Sequence, residues 1–279
     1  MWLNSRGHKE QGFAEAQRAV EIAQPGPEAQ RAAQRLVYTC LSRGELELGE
    51  SAAREALRHA GERPELKARS LRALGIVLVW QHRGAEAIVH FEELLTLARR
   101  YGFNARLPIA WHDLGEALRT SGQLSSAREA YERAYDTARS MKLLSAAELI
   151  RPKLYICDLL EGQLEGAIDN IERFIPDALA TGLALAEPFG RMLQAWAYAL
   201  AGDIPSLLRA YESVPAMRDM AIDPQFPLMM EQIGLAFAAS DDAQCRAHAL
   251  NALTLASEFW GRYGQSARGD WCREKAEAL

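Results

Sequence analysis

A period of about 40 residues runs through the chain, and it constrains the fold more than any single motif. The clearest unit starts at Trp111 and reads Trp111-His112-Asp113-Leu114-Gly115-Glu116-Ala117-Leu118, then Gly122, Ala127, Tyr131 and Ala134. One period earlier stand Leu71, Leu74-Gly75 and Leu78, followed by Ala87, Phe91 and Leu94. One period later come Leu154, Gly162, Ala167, Ile171 and Phe174, and after another step Ala195, Tyr198, Gly202, Leu207, Tyr211 and Val214. Upstream, Leu36, Cys40, Gly44, Gly49, Ala53 and Ala56 form a slightly shorter copy. Its second half recurs at Gly7, Gly12, Ala16 and Ala19, and downstream Ile233-Gly234 and Phe237 open a further unit.

The spacing has a physical sense. Small residues such as Gly75, Gly115, Ala127 and Ala167 let two antiparallel helices approach closely. Larger residues at i, i+3, i+4 and i+7 fill the space between them. Gly44, Gly122, Gly162 and Gly202 recur where the first helix of each pair must stop, because glycine tolerates the left-handed residue that ends a helix. One hairpin cannot bury both of its faces, so each repeat leans on the next. A long coiled coil would need sustained heptads without these glycines, and the pattern excludes it.

Written by spacing, the central unit is W-x2-L-G-x2-L with glycine, alanine, aromatic and alanine following, which closely resembles the tetratricopeptide repeat. The resemblance implies an all-α fold, a right-handed superhelical solenoid of about seven antiparallel helix hairpins with the first incomplete. Units are expected near 1–24, 29–61, 66–102, 105–141, 145–182, 187–222 and 226–264, followed by a capping helix over 265–279. The period exceeds the roughly 34 residues of the common unit, so helices and turns should lengthen, as over Leu94–Gly102 and Tyr135–Met141. In this respect the chain is similar to the long-repeat arrays of bacterial signalling proteins. These include the sensor domain of the maltose-operon activator, related ATPase-coupled regulators and hybrid kinases. Gly7 reads as the inter-helix glycine of its unit, leaving only Met1 to Arg6 of a first helix, so the expectation is the later part of a longer polypeptide. The loosest joints are expected at Gly182–Pro188 and Pro215–Pro227, and Pro152 should start or kink a helix.

With 49% hydrophobic and 25% charged residues in 279, the chain has ample material for a packed core. The net charge of −5 comes without any long basic run, so nothing marks a phosphate-binding stripe for nucleic acid. No apolar run reaches the roughly 18 residues of a membrane span. Cys40, Cys157, Cys245 and Cys272 are scattered through helix-like stretches and read as buried, reduced thiols, hence a cytoplasmic protein.

Catalytic patterns are missing. His8, His59, His82, His90, His112 and His248 form no H-E-x-x-H and no zinc spacing with cysteine. Neither G-x-x-x-x-G-K-[ST] nor G-x-S-x-G occurs, and Asp241-Asp242 reads as a helix N-cap rather than an acid/base pair. The expectation is a binding scaffold with no catalytic residue, metal or cofactor. Tetratricopeptide arrays mostly line their concave side with first helices, which makes a candidate groove of Arg31, Gln34, Tyr38, Arg69, Arg72, Ile76, His112, Glu116, Arg119, Ile156, Met192, Trp196 and Glu231. Its first half is basic and its second mostly apolar. That suits a protein or peptide, or a small ligand with an anionic group, through bidentate arginine contacts and adaptable apolar area. A free-standing adaptor acting through this groove or by association with a second copy of the chain also fits.

Overall fold

The computed structural model describes residues 6–180, 186–214 and 223–279. Among them lie fourteen α-helices and no strand. The expected Met1–Arg6 stub lies largely outside the described residues, as do most of the joint at Gly182–Pro188 and the bulk of that at Pro215–Pro227.

The chain divides into two compact units, Met1–Ala130 and Tyr131–Leu279. The first holds α1 (Arg6–Ile22), α2 (Pro27–Arg43), α3 (Leu46–Ala60), α4 (Pro64–Trp80), α5 (Gly84–Arg100), a 3-10 turn at Asn104–Arg106 and α6 (Leu107–Thr120). Helix α7 (Leu124–Ser140) runs across the division. The second holds α8 (Leu144–Leu160), α9 (Leu164–Ala180), α10 (Ala186–Ala201), α11 (Ile204–Glu212), α12 (Phe226–Ala238), α13 (Ala243–Arg262) and α14 (Ser266–Glu277).

Within the first unit α2 packs on α3, α3 on α4, α4 on α5 and α5 on α6, while α2, α4 and α6 lie side by side. The second unit repeats the scheme, with α8 on α9, α9 on α10, α10 on α11, α12 on α13, α13 on α14, and α8, α10 and α12 as neighbours. Within the units, α4 thus stacks on α3, α6 on α5, α10 on α9 and α14 on α13, each against the second helix of the hairpin before it. Seven of the fourteen helices run for 17 residues, longer than a common 34-residue unit accommodates, as the period requires.

Six of the turns share one geometry. At Gly44, Gly102, Gly122, Gly162, Gly202 and Gly264 the backbone is left-handed, with φ between 70 and 84°. The following N–H then reaches back to a carbonyl near the helix end, as in Glu45 to Cys40 and Gln123 to Leu118 at 3.0 and 2.9 Å. His82 and Lys142 take the same turn without glycine, at φ 57 and 59°. Gly7 differs from its expected role: it lies in the first turn of α1 rather than between helices. Pro152 lies well inside α8 and does not start it.

Close packing depends on the small residues. A Cβ on Gly75 of α4 would stand 2.5 Å from Cζ of Phe91 on α5, a ring with no exposed surface. Gly190 meets Ile175 and Gly234 meets Leu253 in the same way. The first unit's core gathers Leu71, Leu74, Val77, Leu78, Phe91 and Leu94, and the second's is built on Ile156, Phe174, Trp196, Phe226 and Phe237.

Candidate functional site

The side-by-side first helices of the first unit present one face joined by lateral polar contacts. Gln30 of α2 donates to Ser70 Oγ of α4 at 3.0 Å. One step along, Arg72 of α4 reaches both neighbours: Nη1 donates to the Tyr38 hydroxyl on α2 at 3.4 Å, and Nε donates to Asp113 Oδ2 on α6 at 2.5 Å. His112 Nδ1 lies 3.2 Å from the other Asp113 oxygen. One turn further, Arg119 Nη2 donates to Glu116 Oε2 at 2.6 Å, and both side chains are nearly fully buried.

Burial alone would push the Asp113 carboxyl up, yet the Arg72 guanidinium and His112 beside it hold it below the usual carboxylate range. Burial likewise opposes the charge on Arg72, and Asp113 and Tyr38 overcome it and raise its pKa.

The remaining members of the face are more open. Arg31 is exposed on α2, and no ion pair engages it among the described residues. Gln34 accepts from Gln30 Nε2 at 3.3 Å and is half-buried, as is Ile76. Ile109 of α6 is 40% exposed. Glu65, itself exposed, is shared by two guanidinium groups, Arg69 at 2.7 Å and Arg106 at 3.4 Å. The face is therefore less basic than its sequence suggests, because Arg69, Arg72 and Arg119 each meet a carboxylate of their own fold.

The second half of the sequence-derived groove behaves differently. Ile156, Met192 and Trp196 have no exposed surface and form the second unit's core, with the Trp196 indole donating to Gln232 Oε1. Glu231 is 6% exposed and lies under α14, where Trp260 and Arg268 bind it. The physical reason is that α8, α10 and α12 are apolar on most sides, so hydropathy does not tell their covered face from their open one. The exposed large apolar residues of α8 are Leu144 and Leu149, 59% and 56% exposed.

The tetratricopeptide-repeat family profile matches residues 66–140, which span α4 to α7. Residues 66–140 carry tetratricopeptide repeats. Among solved structures it is similar in fold to the apo form of RapI, with 13% identity and a TM-score of 0.65 over 94% of this chain and 90% of that one. A Rap protein complexed with Competence and Sporulation Factor shares 12% identity at a TM-score of 0.60, over 100% and 88%. Aspartyl phosphate phosphatase F from Bacillus subtilis shares 14% at 0.58, over 90% and 71%. No curated protein sequence matches the chain. Likeness at these identities speaks for the fold alone.

Around these repeats the described residues hold no cluster of three His, Cys, Asp or Glu that could bind a metal. No described helix is long and apolar enough to cross a membrane. All four cysteines are buried; burial pushes Cys40 up to about 11 and, with the Glu231 carboxylate added, Cys272 to about 12. Asp242 caps α13 by accepting from the Gln244 and Cys245 amides at 2.8 and 3.0 Å. Sequence reasoning missed a buried pair, Lys153 of α8 with Asp223 ahead of α12. Partners so far apart in sequence leave no local signal.

Proposed function

We propose that the protein is a non-catalytic repeat scaffold that binds a protein or peptide on the α2–α4–α6 face of its first unit. The carrying observation is the lateral chain Tyr38–Arg72–Asp113, which fixes three first helices in register and leaves Arg31, Gln34, Arg69, Ile76, Ile109 and His112 around it partly accessible. A rigid, preordered surface loses little entropy on binding. Exposed Glu65 supplies the anionic preference: a carboxylate or phosphate on the partner that takes its place would meet both Arg69 and Arg106. The bound factor in one Rap structure is in keeping with a ligand-binding role for such a fold. The long period further supports a place in a bacterial signalling protein, as the interaction portion beside an ATPase, kinase or DNA-binding output.

The test is affinity capture from extract of the source cells by the immobilised chain and by an Arg31→Glu/Ile109→Asp variant. A partner retained by the native chain and lost by the variant supports the proposal. Equal retention moves the site off this face, and retention of nothing overturns the scaffold reading.

A further inference from the structure

Helix α14 brings little apolar surface to its own docking. Its buried residues are Gly269, Cys272 and Ala276, while Trp271 faces outward with the Lys275 ammonium 5.5 Å from its ring centre. What holds the helix is polar. Glu231 of α12 receives Arg268 through both oxygens, Nε at 2.8 Å and Nη2 at 2.9 Å, and it accepts the Trp260 indole N–H at 2.9 Å. The Arg268 guanidinium also lies 4.5 Å over the Trp260 ring, and Cys272 Sγ stands 3.7 Å from the same carboxylate.

The two ends of α14 fit unequally. Near its start Gly269 lies so close to α13 that a Cβ would fall 2.9 Å from the Ser257 carbonyl oxygen. Toward its end a groove of about 340 Å³ opens between α13 and α14, lined among others by Leu250, Thr254, Arg273 and Ala276. The connection from α13 turns through Gly264, at φ 77°.

We propose that α14 is a latch, opening and closing as a unit on the α12–α13 hairpin, with Glu231 and Arg268 as its catch. A helix that buries only Gly269, Cys272 and Ala276 opens at lower cost than the hairpin beneath it unfolds. The forked charge-assisted pair, with one partner buried, keeps it shut. Helix α14 packs on α13, the second helix of its hairpin, as α4 packs on α3 and α10 on α9. Opening therefore bares the side of a hairpin on which repeats stack, a change beyond the binding face proposed above. Closed, the Cys272 thiol is held out of its reactive thiolate form by burial and by Glu231; open, it becomes an ordinary thiol.

Timed alkylation of the full chain with N-ethylmaleimide, mapped by mass spectrometry, reads each thiol separately. Cys272 is expected to react about tenfold faster than Cys245, which sits in the hairpin beneath. Arg268→Ala removes the catch, and Gly269→Ala pushes α14 off α13 by a steric route independent of charge. Each should raise the Cys272 rate by a further factor of about ten and leave Cys40, Cys157 and Cys245 unchanged. Arg273→Ala, which breaks only an exposed pair with Asp270, should leave the Cys272 rate alone. The latch is overturned if Cys272 reacts in step with the other three thiols in the native chain, or if both variants accelerate all four together.

Discussion

Gly75→Ala tests the packing on which the repeat rests. A Cβ at that position would lie 2.5, 2.6 and 2.9 Å from three atoms of the Phe91 ring. Phe91 has no exposed surface, so the ring has to shift by roughly 1 Å inside a dense core to restore van der Waals contact. Overpacking of this kind costs about 1–3 kcal/mol. Alanine recovers about 0.5–1 kcal/mol through its better helix propensity. All three close atoms belong to one rigid, enclosed ring, so a net loss of about 1–2 kcal/mol is expected. Urea denaturation followed by circular dichroism measures it, with the m-value checked because repeat arrays need not unfold in two states. Phe91→Leu removes the obstructing ring atoms at a cost of about 1–2 kcal/mol, and in that background Gly75→Ala should be neutral or stabilising. A Gly75→Ala protein with a higher midpoint than the native chain, or with the same effect in both backgrounds, would refute the close approach.

Other substitutions probe the remaining features. Gly166→Ala, in a part of α9 where a Cβ meets nothing within 4 Å, should stabilise by about 0.5–1 kcal/mol in the same denaturation assay. Lys142→Gly relieves a left-handed residue at φ 59° and should raise the thermal midpoint by an amount worth up to about 1 kcal/mol, reduced by the added freedom of the unfolded chain. Arg72→Met leaves Asp113 buried without its guanidinium and should cost about 2–3 kcal/mol at pH 7. In the native chain the folded-state pKa of Asp113 is lowered; its stabilisation is present above the unfolded value of about 3.9 and is lost as pH falls through the folded one. In the variant that carboxyl loses its main cation, so the gap between the two proteins should narrow below about pH 4, where Asp113 takes up a proton. A gap independent of pH between 7 and 3 would mean that the Arg72–Asp113 pair does not contribute through charge.

The ladder Tyr38–Arg72–Asp113 shows how a repeat array turns sequence period into a surface. Tyr38 and Arg72 are 34 residues apart and Arg72 and Asp113 are 41 apart. These separations bring neighbouring first helices into register, so a side chain on one helix finds its partner on the next. A charged residue at this position serves the stack before it serves a ligand, because its desolvation has to be met by a permanent partner. Arg31, lacking such a partner among the described residues, and the Arg69–Glu65–Arg106 trio, which shares one exposed carboxylate, keep more freedom to exchange with something outside.

The hairpin period, the helix-forming segments and the turns that carry glycine were legible in the order of the amino acids. Those are local matters: a left-handed residue, an amphipathic stripe and a small residue opposite an aromatic one are all written in short spacings. The turns at His82 and Lys142 were not legible, since tertiary packing imposes the left-handed conformation there without glycine to announce it. Nor were the faces of α8, α10 and α12, whose near-continuous apolar character hides which side is covered, so that Ile156, Met192 and Trp196 fell to the core and Glu231 to the seat of α14. Only the three-dimensional stack decided that Arg72 and Arg119 answer carboxylates within the fold, because the energy of a charge depends on what surrounds it rather than on its place in the chain.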